Sequence, residues 1–143
     1  MSYLEAAFGG FAPHLDEDAA VKFILNVILM DNRLAELAEL FIDGNALGAI
    51  EGEPSWTLER RDNADEEKPA YNEWPKGARF RAYVDPQGYE LAHPEFFIDR
   101  SGFVGYLLRV LATYEASNPS PVHLASIQKL RATLPGAAVI HCV

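Results

Sequence analysis

The sequence predicts a single α+β domain built from two N-terminal helices, a small antiparallel sheet of three to four strands and two C-terminal helices. Three observations lead there. Apolar residues recur at helical spacing through residues 16–43 and again through 99–134. Between these stretches the pattern changes to alternation, the signature of a half-buried strand. The alternating runs follow one another without helices between them, as antiparallel strands do. A chain of 143 residues fits one domain, and no internal repeat or boundary divides 1–143.

Residues 16–30, DEDAAVKFILNVILM, read as a helix with Asp16 as N-cap and Glu17 and Asp18 in the first turn, where carboxylates complement the helix dipole. Beyond the cap only Lys22 and Asn26 are polar, four residues apart on one narrow stripe. A helix apolar on nearly every side is a buried one, so this segment is expected at the centre of the core. Asp31 or Asn32 then caps a second helix, NRLAELAELFID, with Leu34, Leu37, Ala38 and Phe41 on one face and Gly44 as its stop. The two helices share almost no linker and should meet in a tight corner or hairpin.

In PSWTLER (54–60), Trp56 and Leu58 share one strand face. The polar RDNADEEKPA (61–70) reads as a surface loop or long hairpin connection, and as the segment expected to be most mobile. In ARFRAYV (78–84), Phe80, Ala82 and Val84 face one way and Arg79, Arg81 and Tyr83 the other. DPQG (85–88) has Pro and Gly at the second and fourth places of a type I turn, and YELAH (89–93) is expected to return as the paired strand. Asp99 or Ser101 caps a third helix, with Phe103, Tyr106, Leu107, Val110, Leu111 and Tyr114 as its apolar face. NPSP (118–121) breaks it. Ser120 followed by Pro121 opens a fourth helix with Leu124, Ile127, Leu130 and Leu134 inward, and Pro135-Gly136 ends it before a short last strand, AAVIHCV.

Composition narrows function mainly by exclusion. With 49% hydrophobic residues the chain is not a disordered one, and a single cysteine, Cys142, leaves no internal disulfide, as suits a cytoplasmic protein. The longest strongly apolar stretch, Phe23 to Met30, falls far short of the ~20 residues a membrane span needs. The opening MSYLEAAFGG carries an acid and no basic region, unlike a secretory signal.

The net charge of −9 is unevenly placed. Residues 1–59 carry eleven acids against Lys22 and Arg33, whereas residues 60–143 carry ten of each sign. Such a field repels phosphate backbones and anionic lipid, so neither direct nucleic-acid binding nor a membrane partner is expected. It attracts a basic partner and speeds encounter more than it adds affinity. Acids of this kind also serve simple solubility.

No reaction is written in the motifs. Cys142 sits next to His141, but adjacent strand residues point to opposite faces. No GxSxG surrounds a serine. The four histidines are scattered singly, Asp65-Glu66-Glu67 lacks the spacing of a calcium loop, and the glycines around Gly9-Gly10 and Gly102 lack a phosphate-loop context. No cofactor, metal or catalytic residue is therefore expected. Trp56, Tyr71 and Trp74 lie in or beside a polar stretch, and aromatics next to charges are typical of protein interfaces. Trp56 is assigned to the core, while Tyr71 and Trp74 either fold the loop onto the sheet or bind a partner.

The stretch GARFRAYVDPQGYELAHPEFFIDRSGFVGYLLRVLATYEASNP (77–119) resembles, in general form, the immunity proteins of bacterial polymorphic-toxin and contact-dependent growth inhibition systems. The shared form is a hairpin, an aromatic-rich link, then an aromatic-faced helix and NP. The resemblance implies an acidic, non-enzymatic protein that binds and neutralises a cognate toxin domain, often a nuclease. The acids of 31–53 are expected to form the docking face, with Glu36, Glu39, Asp43, Glu51 and Glu53 as candidates beside Tyr71 and Trp74. A monomer or weak dimer is expected. Two other readings compete: a small enzyme or ligand-binding domain with a pocket around His93, Glu95 and Arg100, and a subunit whose apolar 16–30 helix packs on a copy of itself.

Overall fold

A computed structural model describes residues 3–53, 55–65, 68–117 and 120–134. Its elements run α1 (Leu4–Phe8), α2 (Ala19–Met30), α3 (Leu34–Phe41), β1 (Ala49–Gly52), β2 (Trp56–Arg60), β3 (Phe80–Val84), β4 (Glu95–Ile98), α4 (Arg100–Ala116) and α5 (Pro121–Thr133), with single 3-10 turns at Asn63–Asp65 and Pro69–Tyr71. The strands form an antiparallel meander in the order β1-β2-β3-β4. Helix α2 packs against β2, β3 and β4, and α3 against β1 and β2, while α5 lies behind α3 and beside α4. The molecule is thus α+β, with helices at both ends of the chain flanking a four-stranded sheet.

The alternation in 56–60 and 80–84 decides which face the helices cover. Trp56, Leu58, Phe80, Ala82 and Val84 are buried and their neighbours are not. Phe80 stacks on Phe103 of α4 at 4.2 Å between ring centroids, and Phe41 of α3 lies parallel to Phe80. Helix α2 runs through the middle of this core, as its all-round apolar pattern requires. Its polar stripe is spent internally: Asn26 accepts from the Tyr3 N–H at 2.6 Å, and Lys22 pairs with Asp16 and Asp18. With most of this helix enclosed by its own chain, the basis for pairing it with a second copy is gone.

The helix termini differ from expectation. Asp16 does not cap α2, whose N-cap is Asp18; its carboxylate instead accepts from the Ala12 N–H and from Lys22, closing the preceding turn. Those two bonds hold the Asp16 carboxyl below its usual range. Neither Asp31 nor Asn32 caps α3, which follows Arg33. Asn32 takes φ 57°, with Asn32 N–H donating to Leu29 O and Arg33 N–H to Ile28 O. This is a Schellman ending to α2, for which a left-handed residue is needed and Asn is among the few side chains that tolerate it. Asp99 does cap α4, accepting from the Gly102 N–H.

The DPQG turn forms, with Gly88 N–H bonded to Asp85 O, but YELAH does not return as the paired strand. Leu91 is drawn into the core, Tyr89 packs on Phe23, and Ala92 N–H bonds to Pro13 O, so burial against the N-terminal segment wins over the ladder. Pairing resumes where Val84 N–H meets Pro94 O, and β4 is Glu95–Ile98. On α5, Ile127, Leu130 and Leu134 face inward, whereas Leu124 is exposed. The expected last strand, with His141 and Cys142, lies outside the described residues. So do Glu66 and Glu67 of the 61–70 connection.

Two arginines, Arg60 of the sheet and Arg100 of α4, fasten their elements to α3. Arg60 faces the core, and its guanidinium donates to Leu40 O, Asn45 O and Leu47 O and to the Asp62 carboxylate. Arg100 donates to Phe41 O at 2.7 Å. The orphan carbonyls at the end of α3 therefore find charged donors rather than water.

Candidate functional site

The connection from β1 to β2 begins with alternation. Glu51 points to the outer face of the sheet, and Gly52, directly opposite Trp56, points inward. A Cβ on Gly52 would stand 2.5 Å from the Trp56 ring, so only glycine lets the indole lie across this position. Arg33 sits over that ring at 5.4 Å, donates to Glu51 O, and forks onto the Glu36 carboxylate at 2.7 and 3.0 Å. The Trp56 Nε1–H donates to Glu53 O, and Asp85 N–H to Ser55 O. Backbone and cation together hold this end of the sheet to the α2–α3 corner.

The side chains that this scaffold presents are acidic. Glu51, Glu53 and Asp85 line one open depression of about 410 Å³ with Thr57 and Tyr83. Among the described residues no ion pair reaches Glu51, Glu53 or Asp85. Asp31 is exposed and close enough to Arg33 to act on its charge. Glu36 borders the same corner, its carboxyl held below its usual range by the Arg33 hydrogen bonds, so it stays ionised. The nearby guanidinium of Arg33 is already committed to Glu36 and the backbone.

Of the candidates named from sequence, Glu36, Glu51 and Glu53 are brought together and the others are not. Glu39 turns toward Lys129 of α5, 3.9 Å away, and Asp43 accepts from the Asn63 N–H. Tyr71 and Trp74 are not among the residues of the depression and lie instead beside the Glu59–Arg81–Phe97 row of the outer face. There Trp74 packs edge-on against Phe97 of β4, Tyr71 against Trp74, and Arg61 over Tyr71. The 68–77 segment thus folds down onto the outer face.

The alternative pocket does not assemble. His93 is exposed, Glu95 bonds to Arg81 at 2.6 Å, and Arg100 lies over the Phe41 ring at 4.0 Å on the helix side. The space between helices and sheet is filled by Trp56, Phe41, Phe80 and Phe103. Among the described residues no three His, Cys, Asp or Glu side chains are placed to hold a metal ion. Ser120 and His123 come within 3.1 Å, but on the exposed first turn of α5. Sequence reasoning missed Asp85 and Tyr83, the first spent on its turn and the second noted only as outward-facing. It could not place Arg33, whose role depends on contacts 18 residues away.

Comparison of the chain with protein-family models, with curated proteins and with solved structures finds no match. No helix among the described residues is long and apolar enough to cross a membrane.

Proposed function

We propose that the chain is an immunity-type binding protein that neutralises a basic toxin domain, such as a nuclease, in the cytoplasm. The observation that carries this reading is the acidic corner, where Glu51, Glu53 and Asp85 have no ion-pair partner among the described residues. Carboxylates without a counterion around a shallow depression keep their field for an incoming cation, which raises the rate of encounter and makes it sensitive to salt. A nuclease cleft built to hold phosphate presents the complementary charge. The shallow, solvent-open shape suits occlusion by a protein surface better than enclosure of a small substrate.

The test is capture of partners from native lysate on the tagged protein, with washes at low and then high salt. A stoichiometric basic protein should be retained at low salt, released or weakened at high salt, and toxic to cells that lack this chain. The Glu51→Lys/Glu53→Lys variant should slow its association by about tenfold or more, because steering of this kind alters on-rates by 10 to 10³. Retention unaffected by both salt and the charge reversal would sink the proposal.

A further inference from the structure

Helix α2 is covered on most sides but not on all. Phe23, Val27 and Met30 recur at i, i+4 and i+7 and so share one edge of the helix, where Phe23 and Val27 are half-buried and Met30 is 45% exposed. Beside them Tyr89, 38% exposed, packs on Phe23 with 4.7 Å between ring centroids. This strip adjoins the acidic corner through one turn. Tyr89 N–H donates to Asp85 O, and Asp85, whose own N–H donates to Ser55 O, lines the depression. The segments that meet here, residues 11–36, 48–57 and 82–93, carry nine carboxylates against Lys22 and Arg33, with His14 and His93 as the other basic groups. Lys22 is held by Asp16 and Asp18, and Arg33 by Glu36. Glu17, Asp31, Glu51, Glu53, Asp85 and Glu90 have no ion pair among the described residues. The cations that α4 brings, Arg100 and Arg109, lie over the rings of Phe41 and Tyr106.

We infer that this strip is the apolar seat for a partner protein whose docking face has hydrophobic side chains at its centre and lysine or arginine around them. The partner's apolar side chains sit on Phe23, Val27, Met30 and Tyr89, and the acidic corner forms one rim. The inference rests on the reading of the protein as a binder of a basic partner and adds where that partner's apolar contact falls. A partly exposed apolar strip bordered by charge has the layout of an interface, in which Met and aromatic residues are enriched. Met30 can refit its unbranched thioether to the incoming surface. Phe23 and Tyr89 are already packed on each other and lose little freedom on contact. Charge selects the occupant. Six carboxylates without ion pairs repel nucleic acid and anionic lipid, and a second copy would set the same carboxylates against one another.

The experiment is a titration of the 15N-labelled full chain at low salt with three probes. They are an amphipathic peptide of lysine and leucine whose leucines line one helical face, its glutamate–leucine counterpart, and deca-lysine. The lysine–leucine peptide should give saturable shifts at the Phe23, Val27, Met30 and Tyr89 amides, with the Trp74 indole N–H on the outer face of the sheet unmoved. Deca-lysine should shift only the acidic corner, at Glu51, Glu53, Thr57 and Asp85, and the glutamate–leucine peptide should shift nothing. Met30→Gln/Tyr89→Gln, at two exposed positions, should weaken the lysine–leucine peptide about fivefold or more, the loss of one substantial interface contact, and leave deca-lysine binding unchanged. Lysine–leucine shifts confined to the acidic corner or lying off the strip, or equal binding of the glutamate–leucine peptide, would overturn the inference, while deca-lysine binding at the corner would leave the basic-partner reading intact. No saturable binding of either lysine-bearing probe would overturn both. If the double variant does not fold, the wild-type shift maps of the three probes decide.

Discussion

Replacing Arg60 by methionine should cost the fold about 3–5 kcal/mol, the range for breaking a buried, hydrogen-bonded charge by removing one partner. Methionine matches the length and apolar volume of the arginine stem but donates nothing. Three carbonyls lose their donor: Leu40 O at 2.5 Å, Asn45 O at 2.7 Å and Leu47 O at 3.0 Å. Each buried carbonyl left without a partner costs about 1–3 kcal/mol, and the loss of Asp62's counterion adds to this. The sum stays below full additivity because Asn45 and Asp62 are partly accessible and water recovers some of the bonding. Urea unfolding followed by circular dichroism reads the effect. At a slope of about 2 kcal/mol/M the midpoint should fall by about 2 M. Arg60→Lys should fall between, since an ammonium keeps the charge but cannot span acceptors on both sides of a planar fork. A methionine variant within about 1 kcal/mol of the wild type would refute the argument that this guanidinium holds the end of α3 to the sheet.

Gly52→Ala should destabilise by about 1–3 kcal/mol, because its Cβ meets a tryptophan ring that has no room to retreat; thermal unfolding checks this, and near-UV circular dichroism should show the Trp56 signal altered. Asn32→Ala should cost about 1–2 kcal/mol through the left-handed backbone alone, and Asn32→Gly should cost less in a thermal melt, although both lose the hydrogen bond from Tyr114. Asp62 is held below its usual range chiefly by its hydrogen bond to Arg60, so its contribution to stability is full above its unfolded pKa of about 3.9 and is lost as pH falls through the lower folded value. Asp62→Asn should therefore show a flatter fall in urea midpoint below about pH 4 than the wild type, and parallel acid profiles would contradict this.

Local pattern carried much of the architecture. Helix α2 was readable because its residues are apolar on nearly every side, which only a core position satisfies. The inner faces of β2 and β3 followed from period-two alternation, since a strand has no other way to bury one set of side chains. Strand β4 was not readable: EFFI has no alternation, and the better strand pattern of YELAH was overridden when Leu91 found burial elsewhere. Helix α1, five residues long, is too short to show a period.

For the acidic surface, composition determined the sign and the half of the chain that bears it. Tertiary packing decided which carboxylates act together. Glu36 and Glu39 are three residues apart on one helix, yet Arg33 takes one toward the hairpin and α5 draws the other to Lys129. Asp85, 32 residues beyond Glu53 in sequence, joins the same depression because its N–H bonds to Ser55 O. Charge is a property of residues and can be counted along the chain. Convergence is a property of long-range contacts, and those are chosen by the whole core at once.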